Sequence, residues 1–114
     1  MSFSSFVFSN PNIVIILADD LGWNDVSFHG SKIPTPNIDR IVKAGIELDR
    51  FYVQPTCSPT RAELMTGKSA LRLGITSPIS KNQKLGLSTK EKILPQYLKE
   101  LGYKTVLLGK WHLG

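Results

Sequence analysis

One cysteine, Cys57, stands in 114 residues. It cannot close an internal disulfide, so a disulfide-stapled secreted mini-protein is excluded, and with it a cysteine-based zinc finger. Apolar runs are short. None approaches the roughly 20 residues that cross a bilayer, so no membrane span is expected. There is no Asn-x-Ser/Thr sequon, no internal repeat and no low-complexity tract. The N-terminal MSFSSFVFSNP lacks a basic n-region, and serines break its apolar stretch, so it makes no convincing signal peptide. What is present is ordinary for one globular domain: 41% hydrophobic and 20% charged residues.

Acidic residues are scarce in the second half. Residues 1–57 hold 4 basic and 6 acidic side chains; residues 58–114 hold 10 and 3. A basic half suits an anionic partner. The cations are scattered among apolar residues with no interleaved aromatics, which argues against nucleic acid. Lys81, Lys84, Lys90, Lys92 and Lys99 read as a solvated surface.

Residues 12–18 (NIVIILA) form a continuous, β-branched apolar run, the pattern of a parallel strand buried on both faces. Thr35-Pro36 reads as an N-cap with proline in the first turn. Ile38, Ile41 and Val42 then give a helical stripe that Gly45 stops. Residues 46–53 alternate loosely, as a strand does. Pro55 to Pro59 turn into a short helix over residues 60–65, closed by Gly67, and residues 74–90 read as a loop. A further helix covers residues 94–101 before Gly102, and residues 105–108 (TVLL) make another buried strand. Strands alternating with helices predict an α/β fold with a mostly parallel sheet. Ligands of such sheets bind beyond the carboxyl ends of the strands, where two polar clusters fall; a third opens a helix.

The first cluster is Asp19-Asp20. Two adjacent carboxylates can face one hard cation, Ca²⁺ or Mg²⁺, only if the chain turns there, and an acidic solvated turn is the plainer alternative. The second is Cys57-Ser-Pro-Thr-Arg61. Cys57 falls at a helix N-terminus, where backbone N–H groups favour an anion, with Arg61 one turn on along the same face. The third is Lys110-Trp111-His112, in which extended chain would point a cation and a titratable imidazole the same way. Two decoys need weighing. Residues 62–69 nearly match a phosphate-binding loop, but Ala62 replaces its first glycine and a helix precedes it where a strand is required. His29 has no spaced partner ligand and reads as structural. A thiol nucleophile pairing Cys57 with His29 or His112 leaves Arg61 and the Asp pair unexplained.

Taken in order, these segments resemble one family. The run Asn12-Ile-Val-Ile-Ile-Leu-Ala-Asp-Asp-Leu-Gly-Trp, then Thr35-Pro-Asn-Ile-Asp, Cys57-Ser-Pro-Thr-Arg-Ala, Leu64-Met-Thr-Gly-Lys, Leu98-x-x-Leu-Gly-Tyr and Gly109-Lys-Trp-His-Leu-Gly look like the N-terminal part of a type I sulfatase. Gly22-Trp-Asn-Asp-Val-Ser-Phe-His-Gly-Ser and Tyr52-Val-Gln-Pro look most like the arylsulfatase B group, whose better-known members desulfate N-acetylgalactosamine 4-sulfate in glycosaminoglycans. The resemblance implies an alkaline-phosphatase-like α/β fold, with residues 1–11 a tail and residues 12–114 the N-terminal segment of the catalytic domain. It implies that a formylglycine-generating enzyme oxidises Cys57 to Cα-formylglycine. One hydroxyl of the hydrated aldehyde would attack sulfur, and the other would help expel sulfate from the covalent intermediate.

By the same resemblance Asp19, Asp20 and the modified Cys57 bind Ca²⁺, and Arg61 holds the formylglycine. Lys110 contacts formylglycine and sulfate, and His112 is the base. The substrate would be a sulfate ester, aryl or glycan, and the compartment lysosomal or extracellular. Thr60 stands where serine is commonest. The family's later Asp-Asn metal pair, second active-site histidine and second lysine have no counterparts in these 114 residues. The expectation is therefore an incomplete site and little or no turnover by this chain alone. A phosphatase or phosphonate hydrolase of the same superfamily, or a non-catalytic truncated product, are the alternatives.

Overall fold

The structure is a computed structural model and describes residues 10–81 and 84–114. Most of the expected tail, which is also the segment read for a signal peptide, lies outside the described residues. Four α-helices form among the described residues. Helix α1, Pro36–Ala44, starts after Thr35 with proline in its first turn and stops at Gly45. Helix α2, Cys57–Thr66, begins one turn earlier than its sequence suggests. Pro59 is no obstacle, because the first-turn N–H it lacks would have no partner inside the helix. Gly67 ends α2 in the left-handed conformation, with φ +67° and its N–H on the Glu63 carbonyl. The short α3, Ala70–Leu73, is an addition to the sequence reading; α4, Leu94–Glu100, is as expected. The loop over residues 22–34 winds into two 3₁₀ turns, Trp23–Asp25 and Ser27–His29.

A small core sits where α2 and α3 meet the two ends of the 75–113 stretch. Ala62, Ile75, Ile79 and Leu113 are buried, with Met65, Leu73, Leu87 and Trp111 packed against them. The Leu87 N–H donates to the Leu113 carbonyl at 2.8 Å, tying the last residues to the loop after α3.

The strand expectations need correction. Among the described residues, segments 12–18, 46–53 and 105–108 join no β-ladder. The reason is that a ladder is a property of pairs, and these apolar runs lie beside no strand partner. Val14 and Ile16 are 81% and 83% exposed, Val106 and Leu108 84% and 89%. The molecule is accordingly open. Its radius of gyration is 18.1 Å, against about 13 Å for a compact chain of this length. Its 10010 Å² of accessible surface exceeds the roughly 6,200 Å² of a compact protein of this mass.

Candidate functional site

The three polar clusters converge on the N-terminal end of α2. The Asp pair follows segment 12–18, and the chain does turn there: Asp20 takes φ +57°. Asp19 faces two cations. Its Oδ2 accepts from Lys110 Nζ at 2.7 Å and its Oδ1 from Arg61 Nη2 at 3.2 Å. The Lys110 hydrogen bond, then that from Arg61, holds the Asp19 carboxyl below its ordinary value; Asp19 in turn lifts the Lys110 ammonium above its own. Both groups are therefore charged at neutral pH. Asp20 is exposed.

Arg61 is buried inside α2, four residues from Cys57. Its Nη1 donates to the Lys110 carbonyl at 2.6 Å, which clamps residue 110 to the helix. Its Nε is buried without a hydrogen-bond partner, the single such side-chain atom found among the described residues. A buried N–H left unpaired is costly, so this edge of the guanidinium fits an additional acceptor, as an anion-binding site requires.

His112 completes the site by an unexpected route. The extended geometry expected for residues 110–112 does not hold, because His112 has φ +55°. Lys110 and His112 nonetheless both reach the site, while Trp111 packs on the core. His112 Nδ1 lies 3.2 Å from Cys57 Sγ, and Nε2 lies 2.8 Å from the Ile79 carbonyl. A carbonyl only accepts, so Nε2 carries a proton. In neutral imidazole Nδ1 is then the acceptor turned toward residue 57.

Thr60, the departure from the commonest motif, keeps the hydroxyl that matters. Its Oγ1 lies 2.8 Å from the Thr56 carbonyl and 3.1 Å from that of Gln54, bracing the turn before α2. Serine offers the same atom. The decoys resolve as structural. Ala62 is buried in α2, and Lys68 is paired with Glu91. His29 stacks on Trp23 and sits between the Trp23 carbonyl at 2.9 Å and Glu47 Oε1 at 2.8 Å, remote from Cys57 contacts.

The residues fit a hard cation in part. Asp19 and Asp20 offer carboxylate oxygens, whereas calcium takes 6–8 oxygen ligands. Among the described residues no group of three or more His, Cys, Asp or Glu converges as a metal site. No described helix is long and apolar enough to cross a membrane.

Comparison with known proteins gives one answer. The sequence profile of the Sulfatase family matches residues 11–114. Arylsulfatase J of Mus musculus is 46% identical over 107 residues, covering 93% of this chain and 18% of its own length. Human steryl-sulfatase is 43% identical over 114 residues, covering 93% and 20%. Human N-acetylgalactosamine-6-sulfatase is 40% identical, covering 91% and 22%. The crystal structure of Ps i-CgsB superposes with a TM-score of 0.86 at 44% identity, over 93% of this chain and 24% of that one. The chain thus spans about a fifth of the length of the curated relatives it matches, and its backbone follows a part of the alkaline-phosphatase-like fold expected from the sequence.

Proposed function

The chain belongs to the sulfatase family, and on that premise we propose that it carries the nucleophile and part of the anion-binding site of a sulfuric ester hydrolase. The observation that supports this most is the meeting of Cys57, Arg61, Lys110, His112 and Asp19 at one helix end, from stretches up to 91 residues apart. Cys57 is proposed as the precursor of formylglycine, made by a formylglycine-generating enzyme. Once formed, that group supplies a hydrated aldehyde, a nucleophile able to release sulfate afterwards. Asp19 and Asp20 would hold Ca²⁺, which as a Lewis acid supplies charge stabilisation to sulfate oxygens.

The chain's own residues divide the remaining work. The Lys110 ammonium and Arg61 guanidinium present positive charge where a sulfate would sit. Asp19 orients both and stays ionised. His112 Nδ1 accepts a proton from the group at position 57. Trp111 and the core beneath hold the 110–112 turn in place.

Overall identity does not choose among substrates. Identity is spread evenly, at 40–46%, over relatives named for quite different sulfate esters. These residues hold what such enzymes share. Sulfated glycans and aryl sulfates are the proposed substrate class, and the arylsulfatase B-like segments nominate N-acetylgalactosamine 4-sulfate esters as the first to assay. We also propose a secretory or lysosomal setting, and little turnover by these 114 residues alone, since the carboxylates present supply only part of a calcium shell. Mass spectrometry of the Cys57 peptide, after co-expression with a formylglycine-generating enzyme, tests the central point. The expected product has an aldehyde oxygen in place of sulfur; a fully retained thiol would overturn the reading.

A further inference from the structure

The residue beside the nucleophile is fully buried and polar. Ser58 is 0% exposed, and its hydroxyl makes two hydrogen bonds to distant chain. Oγ donates to the His112 carbonyl at 2.9 Å and accepts from the Ile79 N–H at 3.1 Å. The carbonyl of that same Ile79 takes the proton of His112 Nε2 at 2.8 Å. A closed circuit results: Ser58 to the main chain of His112, the His112 ring to Ile79, and Ile79 back to Ser58.

Two features show that this circuit sets a conformation. His112 holds φ +55°, a left-handed backbone costing a non-glycine residue about 1–2 kcal/mol. Such strain persists only where surrounding contacts over-determine it. Here the His112 carbonyl, its ring and the next residue's carbonyl are each tied, the last to the Leu87 N–H at 2.8 Å. The second feature is the ring's proton. Ile79 offers only an acceptor, so Nε2 carries a proton; in neutral imidazole Nδ1, 3.2 Å from Sγ of residue 57, is then bare.

We infer that Ser58 is a positioning residue: by bracing the Ile79 peptide and the His112 backbone, it locks His112 in the Nε2–H tautomer with Nδ1 turned to residue 57. The inference rests on the sulfatase reading only for what the base then does. Ser58 touches no reacting atom. Alanine at position 58 would fill the space but leave the Ile79 N–H and the His112 carbonyl without this partner.

The test is nitrogen NMR of the imidazoles in the full chain labelled at histidine, at mildly alkaline pH. Only His29 and His112 contribute signals, and His29→Phe assigns them. Wild type is expected to show a single His112 tautomer, with a slowly exchanging Nε2–H and an unprotonated Nδ1. Ser58→Ala should lose the slow proton and move both nitrogens toward the averaged shifts of free histidine, with His29 unchanged. Ser58→Thr, which keeps the hydroxyl, should restore the single tautomer. An Nδ1–H tautomer or averaged shifts in wild type would overturn the proposal, as would a His112 spectrum unchanged in Ser58→Ala. If Ser58→Ala also disturbs His29, global unfolding has occurred and Ser58→Thr decides: a locked ring supports the claim, an averaged one sinks it. None of these signals involves sulfate or the modification of Cys57. Failure here leaves the sulfatase reading standing, and an unmodified thiol leaves the lock standing.

Discussion

Asp19 is the residue on which charge balance turns. Lys110 and Arg61 both donate to it, and it is exposed, so its contribution is screened by solvent. The sign of its pH dependence is nonetheless fixed. Its folded carboxyl titrates below the ordinary 3.8, so the stability it adds is fully present above that pH and is lost as pH falls through the folded value. Lys110 titrates above its ordinary 10.5; its contribution is present below that pH and lost only beyond the raised value. The pair is therefore flat across the neutral range. Urea titrations of the metal-free chain should show an acid-side loss below pH 3.8 that Asp19→Asn removes. An equal acid-side loss in that variant would show that other carboxylates govern it. Thr60 gives a second expectation from the same helix end. Thr60→Ser should be neutral, because the hydroxyl alone reaches the Thr56 and Gln54 carbonyls. Thr60→Ala should cost about 1 kcal/mol, the usual worth of such a bond, in urea melts.

At the scale of elements, α2 depends on how it ends. Gly67 holds φ +67°, and a Cβ placed there meets nothing within 4 Å. Gly67→Ala thus adds no clash, and its cost is the left-handed backbone alone, about 1–2 kcal/mol. Denaturation midpoints should register that loss, with Gly67→Asn milder because asparagine tolerates the conformation. A loss several times larger would mean that the Gly67 turn is under tertiary constraint. Helix ends of this kind were legible in the sequence: Thr35, Gly45, Gly67 and Gly102 punctuate the chain where the helices stop or start. The start of α2 was less so, since Pro59 suggests a turn until its N–H is seen to be expendable. Helix α3 escaped notice because four residues leave no periodicity to read. The sequence singled out Asp19, Cys57, Arg61, Lys110 and His112 one by one, but not the contacts that join them; Asp20, singled out with them, is exposed. Nothing local announces that Ser58 meets His112 54 residues away and Ile79 21 away. Extended spacing even gave the wrong backbone for His112, because tertiary ties override local preference there.

For the whole molecule, the strand segments decide behaviour in solution. Their β-branched runs predicted burial on both faces, yet Val14, Ile16, Val106 and Leu108 each expose four-fifths or more of their surface. Burial of this kind requires neighbours, and sequence pattern reports the need for a neighbour without providing one. Unpaired apolar strand segments are templates for association. The chain should therefore bind a hydrophobic dye such as ANS and scatter light increasingly with concentration. Because the core of Ala62, Ile75, Ile79 and Leu113 is separate from these residues, they contribute little to the fold of the isolated chain. Replacing Val14 and Val106 by threonine, and Ile16 and Leu108 by lysine, should cut dye binding and scattering while changing stability by no more than about 0.5 kcal/mol per site, as surface substitutions do. A destabilisation of about 2 kcal/mol or more at any one of them would instead be the signature of a side chain buried in solution. Measured as a function of protein concentration, that loss would identify self-association as what buries it.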